Sequence, residues 1–318
     1  MFGQSPEGLV FSGESAWDPS RGTLAFTASG SMPSGKEDFF WLVPAEVKCI
    51  VIGAGVTVQG GFRVPFRAAN LPLSIEGRDR KTSVIFGTDE PQWTVQNGVA
   101  DNAKWKYGAV SVLADATVRV SNLTSRNPRG YHISGYAKKS VLHVSHCNLL
   151  DARSGSNNNS DGFVGANGST IADSLISTGD DAIKVYHDMT LRNVIIEQHR
   201  NGAAIQFGWG GERNPVTASM ENLTIRGVSP DQRYNMAPFT WERGDGGSRD
   251  VTIRGLKVEA AGRLYNEDSK SWVPLGLFEL KPAACTLNLT ITGAEIGALG
   301  DGIRHTAGVI RINGRRLP

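Results

Sequence analysis

A short β-branched run recurs along the middle of this chain, and that repetition limits the fold more than any other feature. The runs occupy residues 116–124, 140–150, 169–177, 189–197, 220–226, 250–258 and 285–291. They recur at roughly 20 to 40 residues, the spacing of solenoids and arrays. Each alternates apolar and polar residues, meets a turn-like Ser, Asn or Gly, then becomes apolar again. Such a unit reads as two short strands meeting at a bend. One coil cannot bury its own apolar face, but stacked coils can, each strand pairing in parallel with its counterpart in the next. The expected fold is therefore all-β: a right-handed parallel β-helix, or solenoid, of about ten coils. A β-sandwich is the competing fold and needs hairpin turns. The best hairpin signals, Asn167-Gly168 and Asn201-Gly202, fall instead at equivalent bends of the repeat.

Composition agrees with a glycine-punctuated β protein: 38 of 318 residues are Gly and 20% are charged. Residues 1–38 are rich in Gly, Ser and Pro and lack the repeat. They are read as an N-terminal arm or cap over the open end of a β-helical catalytic domain spanning 39–318. The aromatic run Phe39-Phe40-Trp41 is read as starting or plugging the first coil. Thirty-three basic residues against 31 acidic ones leave a net charge of +2. That near balance, with no basic stripe, argues against a nucleic-acid partner. No apolar run is long enough to span a bilayer, so no membrane partner is expected. The start of the chain shows neither a charged n-region nor an apolar h-region. No signal peptide is read in the chain as it stands, which leaves the compartment open between intracellular and secreted.

Cys49, Cys147 and Cys285 are too widely spaced for a zinc motif and are read as buried free thiols. His132, His143, His146, His187 and His305 show no metal spacing with carboxylates. No metal and no cofactor are expected, and calcium on clustered carboxylates is the competing reading.

The chemistry gathers between residues 157 and 209. Aligning the strands puts Phe163, Ile183 and Ile205 at one place, at offsets of 20 and 22 residues. Asp161 then stacks beside Asp181 one coil away, about 4.8 Å off. Asp180 sits one residue earlier, at a bend that Gly179 permits. Three carboxylates in register repel one another and raise at least one pKa. One protonated acid beside ionised partners is what glycosidic cleavage requires. Turn capping explains any single aspartate of this set, but it explains three in register less well.

The same residues carry a family likeness. Asn159-Ser160-Asp161-Gly162-Phe163, then Gly179-Asp180-Asp181-Ala182-Ile183-Lys184-Val185-Tyr186, then residues 198–209 ending Gln206-Phe207-Gly208-Trp209, resemble glycoside hydrolase family 49. That family contains dextranases and isopullulanases and is related to the polygalacturonases of family 28. The Ala-Ile-Lys after the acid pair and the closing Gln-x-Gly-Trp follow family 49. The Gln198-His199-Arg200 context and the missing Arg-Ile-Lys depart from polygalacturonases. Family 49 places a β-sandwich domain before the β-helix, and this chain is too short for both. The resemblance implies an inverting glycoside hydrolase on an α-glucan polysaccharide or oligosaccharide, with Asp180 as general acid and Asp161 and Asp181 holding the water. Displacement of Asp180 from the stacked pair, beside two negative charges, points to the same acid.

Substrate-binding candidates surround this set, each with a plainer reading. Lys184 is read as entering the cleft, against a solvated lysine. His199 is read as reaching Asp180 or the sugar, against a surface histidine. Gln206, one coil from Lys184, is read as a hydroxyl ligand. Trp209, between two glycines, is read as a stacking ring, against a core residue. Tyr234 and Trp241 lie in a long segment, 228–248, read as a cleft wall. Asn158 either binds sugar or closes a tight loop. Other functions compete with hydrolysis of an α-glucan: a polysaccharide lyase or a polygalacturonase-like enzyme on the same fold, and a non-catalytic β-helix of the adhesin or tail-fibre kind.

Overall fold

The computed structural model describes residues 5–35, 37–90, 105–135, 137–153, 158, 160–198, 201–210, 213–228, 234–235, 237–260, 263–266, 271–274, 276–297 and 299–318. Within these the chain is built of short strands, with no α-helix. No helix is long and apolar enough to cross a membrane. The strands form an 18-stranded sheet and a 10-stranded sheet, almost entirely parallel, between which the chain passes at every coil. This is a parallel β-helix, and the ten strands of the smaller sheet match the coil count expected from the repeat.

Register explains why these residues choose this fold. In the 10-stranded sheet Trp41, Phe62, Val110, Ile133, Phe163, Ile183, Ile205, Phe239 and Phe278 are successive partners. All point inward and are buried. Facing them, Leu24, Ile50, Ile75, Val120, Val144, Ile171, Leu191, Met220, Ile253 and Ile291 form an unbroken column in the larger sheet. Phe207 stacks on Phe239 at 6.3 Å, and Phe239 meets Phe278 at 5.7 Å. A fully buried isoleucine in such a column is worth about 2–5 kcal/mol against alanine. A slip of one residue would turn a whole strand's apolar set outward, so register is strongly fixed.

The bends are equally regular. Asn122, His146, Asp173, Asn193 and Asn222 have φ between 51° and 56°, and Gly255 follows at 72°. Asn and Asp tolerate this left-handed conformation better than other L-residues. Their side chains stack as a ladder: Asn193 donates to Asp173 at 2.7 Å and Asn222 donates to Asn193 at 2.9 Å. These are the turn-like residues of the sequence repeat.

The segment expected to be only an arm also supplies the first rung. Thr23–Phe26 pairs in parallel with Cys49–Ile52, and Leu24 and Phe26 are fully buried. Two apolar residues at alternate positions suffice for this, though the stretch is too short to show periodicity. Ser15–Asp18 then pairs antiparallel with Thr23–Phe26 and covers the edge. At the far end Ile310–Ile312 and Arg315–Arg316 form a second antiparallel cover. Phe40–Leu42 opens the smaller sheet. The three cysteines are free, Cys147 and Cys285 buried and Cys49 partly so.

Candidate active site

Two adjacent rungs of the smaller sheet bring the acids together. Phe163 pairs with Ile183, so Asp161 and Asp181, two residues before each, share a register position. The Gly162 N–H donates to the Asp181 carbonyl at 2.9 Å and locks the two rungs. Asp180 lies at the bend before the strand. One oxygen from each of Asp161, Asp180 and Asp181 lies within 4.8 Å of the others. That spacing is shorter than the about 6.5–9.5 Å by which inverting glycosidases commonly separate acid and base. A single rung separates the strands, and a cation draws two of the acids together.

That cation is Lys184. Its Nζ lies 2.6 Å from Asp161 Oδ1 and 2.7 Å from Asp181 Oδ2. It also donates to Gln206 Oε1 at 3.1 Å. Lys184 is thus buried among the carboxylates rather than open to a sugar, and these negative charges hold its pKa well above the lysine range despite desolvation. A divalent cation bridging the three acids would have to displace this ammonium.

Both oxygens of Asp181 are engaged. Its Oδ1 accepts the Ala203 N–H at 2.9 Å, and its Oδ2 accepts from Lys184 and from Gln206 Nε2. Gln206, fully buried, also accepts from the Tyr186 hydroxyl. It orients Asp181 and Lys184, and its burial removes the expected role as a sugar ligand. Asp180 differs from its neighbours by being half-buried, whereas Asp161 and Asp181 are buried. Its Oδ1 accepts the Asp181 N–H at 3.0 Å. Burial first, and then the charges of Asp161 and Asp181, raise its pKa well above the carboxylate range. Asp161 is raised to about 7, by burial that the Lys184 charge only partly offsets.

The next coil closes tightly over this bend. Gly202 has φ of 69°, and a Cβ there would lie 2.4 Å from the Asp181 nitrogen and 2.6 Å from Asp180 Oδ1. Any side chain would push the acids aside. On the preceding coil Asn158 is buried and lies against Gly179, where a Cβ would meet Asn158 Nδ2 at 2.2 Å. Asn158 therefore packs beneath the acid bend and does not face substrate.

Trp209 is 44% exposed with the Arg243 guanidinium 5.1 Å from its ring centre. Its exposure fits a stacking ring. Trp241 is 1% exposed and packs between Phe207 and Arg249, at 6.4 and 4.8 Å. The expected wall residue is thus a core residue. It holds an inward register position beside Leu280, which alternation along 239–241 would have shown. The backbone of Tyr234-Asn235 pairs with Asn201-Gly202, beside the acid bend. The Tyr234 side chain lies outside the described residues, as does all of His199.

Two tyrosines were not anticipated. Tyr131 occupies the register position of Asp161 one coil earlier and hydrogen-bonds its carboxylate. Tyr186 lies two residues past Lys184 and so shares its face. The Lys184 Nζ stands 5.7 Å from each ring centre. Extending the strand alignment one coil back, and two residues on, would have found both.

Comparison with known proteins bears on the chemistry. The profile of "Glycosyl hydrolases family 28" matches residues 39–231. A dextranase from Arthrobacter sp. (strain CB-8) is 23% identical over 241 residues, covering 70% of this chain and 37% of the relative. Polygalacturonase-2 from Solanum lycopersicum is 23% identical over 264 residues, covering 79% and 50%. The chain thus spans between about a third and a half of these relatives' length. Dex49A from Penicillium minioluteum superposes with a TM-score of 0.58 at 13% identity, over 87% of this chain and 55% of that one, a likeness of fold. The matched profile is that of the related family rather than of family 49 itself, while dextranases stand among the relatives. The three acids and Lys184 all lie inside the matched segment, and on that match the chain belongs to the glycosyl hydrolases of family 28.

Proposed function

We propose that this chain hydrolyses a glycosidic bond of a polysaccharide, with Asp180 as general acid and Asp161 and Asp181 orienting the attacking water. The observation that carries the assignment is the asymmetry among the three acids. Lys184 pairs with Asp161 and Asp181, whereas Asp180 lacks that cation and retains exposure, and burial with the two neighbouring charges raises its pKa. A partly exposed carboxylic acid is suited to protonate a leaving oxygen. Asp181, with both oxygens committed to Ala203, Lys184 and Gln206, is poorly placed to become a covalent nucleophile. It is well placed to share a water with Asp161. Inversion at the anomeric carbon follows from direct attack by that water, although the short carboxylate spacing resembles that of retaining enzymes.

An α-glucan is the substrate class we favour. Among the described residues Lys184 is the cation at the acids, and it is committed to Asp161 and Asp181 rather than to a uronate. The dextranase relatives support the same class. The family 28 profile and the tomato relative named as a polygalacturonase support a second reading, hydrolysis of polygalacturonate. Incubation with dextran, pullulan, nigeran and polygalacturonate, followed by reducing-end release, separates the two. Release from a glucan is the expected result. Release from polygalacturonate alone would transfer the assignment to the second reading, and an unsaturated product absorbing in the near ultraviolet would indicate a lyase.

A further inference from the structure

Behind the acid bend lies a buried polar group that the hydrolytic chemistry does not use. Asp151 is 2% exposed and Arg153 8%. The Arg153 Nε lies 3.1 and 3.2 Å from the two Asp151 oxygens, and its Nη2 lies 2.5 Å from Oδ2. Arg153 also donates to the Pro128 carbonyl at 2.7 Å and the Glu90 carbonyl at 3.3 Å. Burial opposes charge on Asp151, but the Arg153 guanidinium outweighs it and holds the carboxyl below its usual range. A buried ion pair of this kind is weak evidence for stability, because desolvation offsets its attraction. Its connections suggest what it does instead.

The Asp151 carboxylate accepts a hydrogen bond from Ser160, the fully buried residue immediately before Asp161. The Ser160 oxygen in turn accepts the Gly179 N–H at 2.9 Å, immediately before Asp180. The Asp151 N–H donates to the Ser177 carbonyl at 2.7 Å, on the strand that leads into the same bend. Two coils are thereby joined at the residues preceding both acids. Asn158 fills the remaining space against Gly179 and donates to the Arg153 carbonyl at 3.5 Å.

We propose that Ser160, fixed by the Asp151–Arg153 pair, is a positioning residue that sets the Gly179 bend and so aims the Asp180 carboxyl. The inference rests on Asp180 being the proton donor. Ser160 touches neither substrate nor the reacting atoms, so its effect must pass through the bend. Loss of its hydroxyl leaves the Gly179 N–H without its acceptor, and the bend opens to water. Asp180 faces Asp161, Asp181 and Lys184, and burial is the largest cause of its raised pKa. Greater hydration therefore lowers that pKa and brings the loss of activity at high pH to a lower value.

The test compares Ser160→Ala, Asp151→Asn, the double variant and Asp180→Asn in the full chain. Each is assayed from pH 4 to 9 on whichever of dextran or polygalacturonate the wild type cleaves. We expect Ser160→Ala to lower kcat by about 10- to 100-fold with KM within twofold, the range of misplaced but present catalytic groups. The basic limb of its pH profile should move to lower pH. The double variant should be no worse than the more affected single variant, because both act through one path. Should alanine unfold the chain, Ser160→Cys, similar in size and a weaker acceptor, carries the same expectation. A folded Ser160 variant with wild-type kcat and pH profile, beside an inactive Asp180→Asn, would overturn the positioning role and leave the acid assignment standing. Full activity of Asp180→Asn would overturn both.

Discussion

Lys184 and Asp161 face each other across one coil of the helix, Nζ to Oδ1 at 2.6 Å, and Lys184 holds Asp181 at 2.7 Å from the same atom. One ammonium thus offsets two of three clustered carboxylates, and the site's charge balance depends on it. Lys184→Met should remove that balance while keeping the side-chain volume. Stripping one partner from a buried ion pair costs about 3–5 kcal/mol. The loss should be largest near pH 8, where the acids are pressed to ionise, and smaller near pH 5, where they take up protons instead. Urea unfolding at the two values measures this, and an equal loss at both would count against it.

The cluster also fixes how the wild type responds to pH. Asp161 is raised to about 7 and Asp180 is also raised well above the carboxylate range, whereas an aspartate in the unfolded chain titrates near about 4. Between those values the native state binds more protons than the unfolded state, so stability falls as pH rises. Relief of this penalty on acidification is the reverse of the behaviour of an ordinary salt-bridged carboxylate. Stability should therefore increase from pH 8 down to about pH 5, and kcat/KM should decline on the basic side as Asp180 loses its proton. Denaturant midpoints and a pH–rate profile check the two limbs.

The two tryptophans should behave oppositely. Trp209→Ala removes an exposed ring, and a ring contact of about 0.5–1.5 kcal/mol implies a KM rise of about 2- to 10-fold with Tm unchanged. Trp241→Ala opens the core between Phe207 and Arg249 and should cost about 3–5 kcal/mol. Thermal unfolding and Michaelis kinetics on both variants separate the roles.

The contrast shows what was legible from residues alone. The repeat, the bend positions and the register of Phe163, Ile183 and Ile205 are all written in local periodicity, and the acids follow from them. Asp161 and Asp181 could be placed because each stands two residues before an inward apolar position. Lys184 was found, but not its burial, which depends on how three charges settle around it. Trp241 was misplaced because flanking Gly and Arg obscured its inward register. The first rung at Thr23–Phe26 shows only two apolar residues and is confirmed by pairing with Cys49–Ile52. The Ser160–Asp151 contact closes across one irregular connection, and Ser160 then reaches Gly179 on the next coil, links that no spacing rule reports.

Stereochemistry separates water attack from a covalent intermediate. The nearest carboxylate oxygens lie within 4.8 Å, a separation closer to retaining enzymes than to inverting ones. The commitment of both Asp181 oxygens argues for water. Proton NMR within minutes of mixing should show an inverted anomeric configuration in the first product. Retention would assign one of these aspartates as a nucleophile while leaving the fold and the acid cluster as described.

The most direct test of Asp180 as proton donor is Asp180→Asn, assayed on the cleaved polysaccharide and on an activated aryl glycoside of the same sugar. The amide keeps the shape and cannot deliver the proton. General acid catalysis contributes about 10²–10⁴-fold, so kcat on the polysaccharide should fall by that order with Tm nearly unchanged. The aryl glycoside, whose leaving group needs little protonation, should lose far less, whereas Asp161→Asn and Asp181→Asn should impair both substrates alike. Equal losses on the two substrates for Asp180→Asn, or wild-type turnover of the polysaccharide, would contradict the assignment.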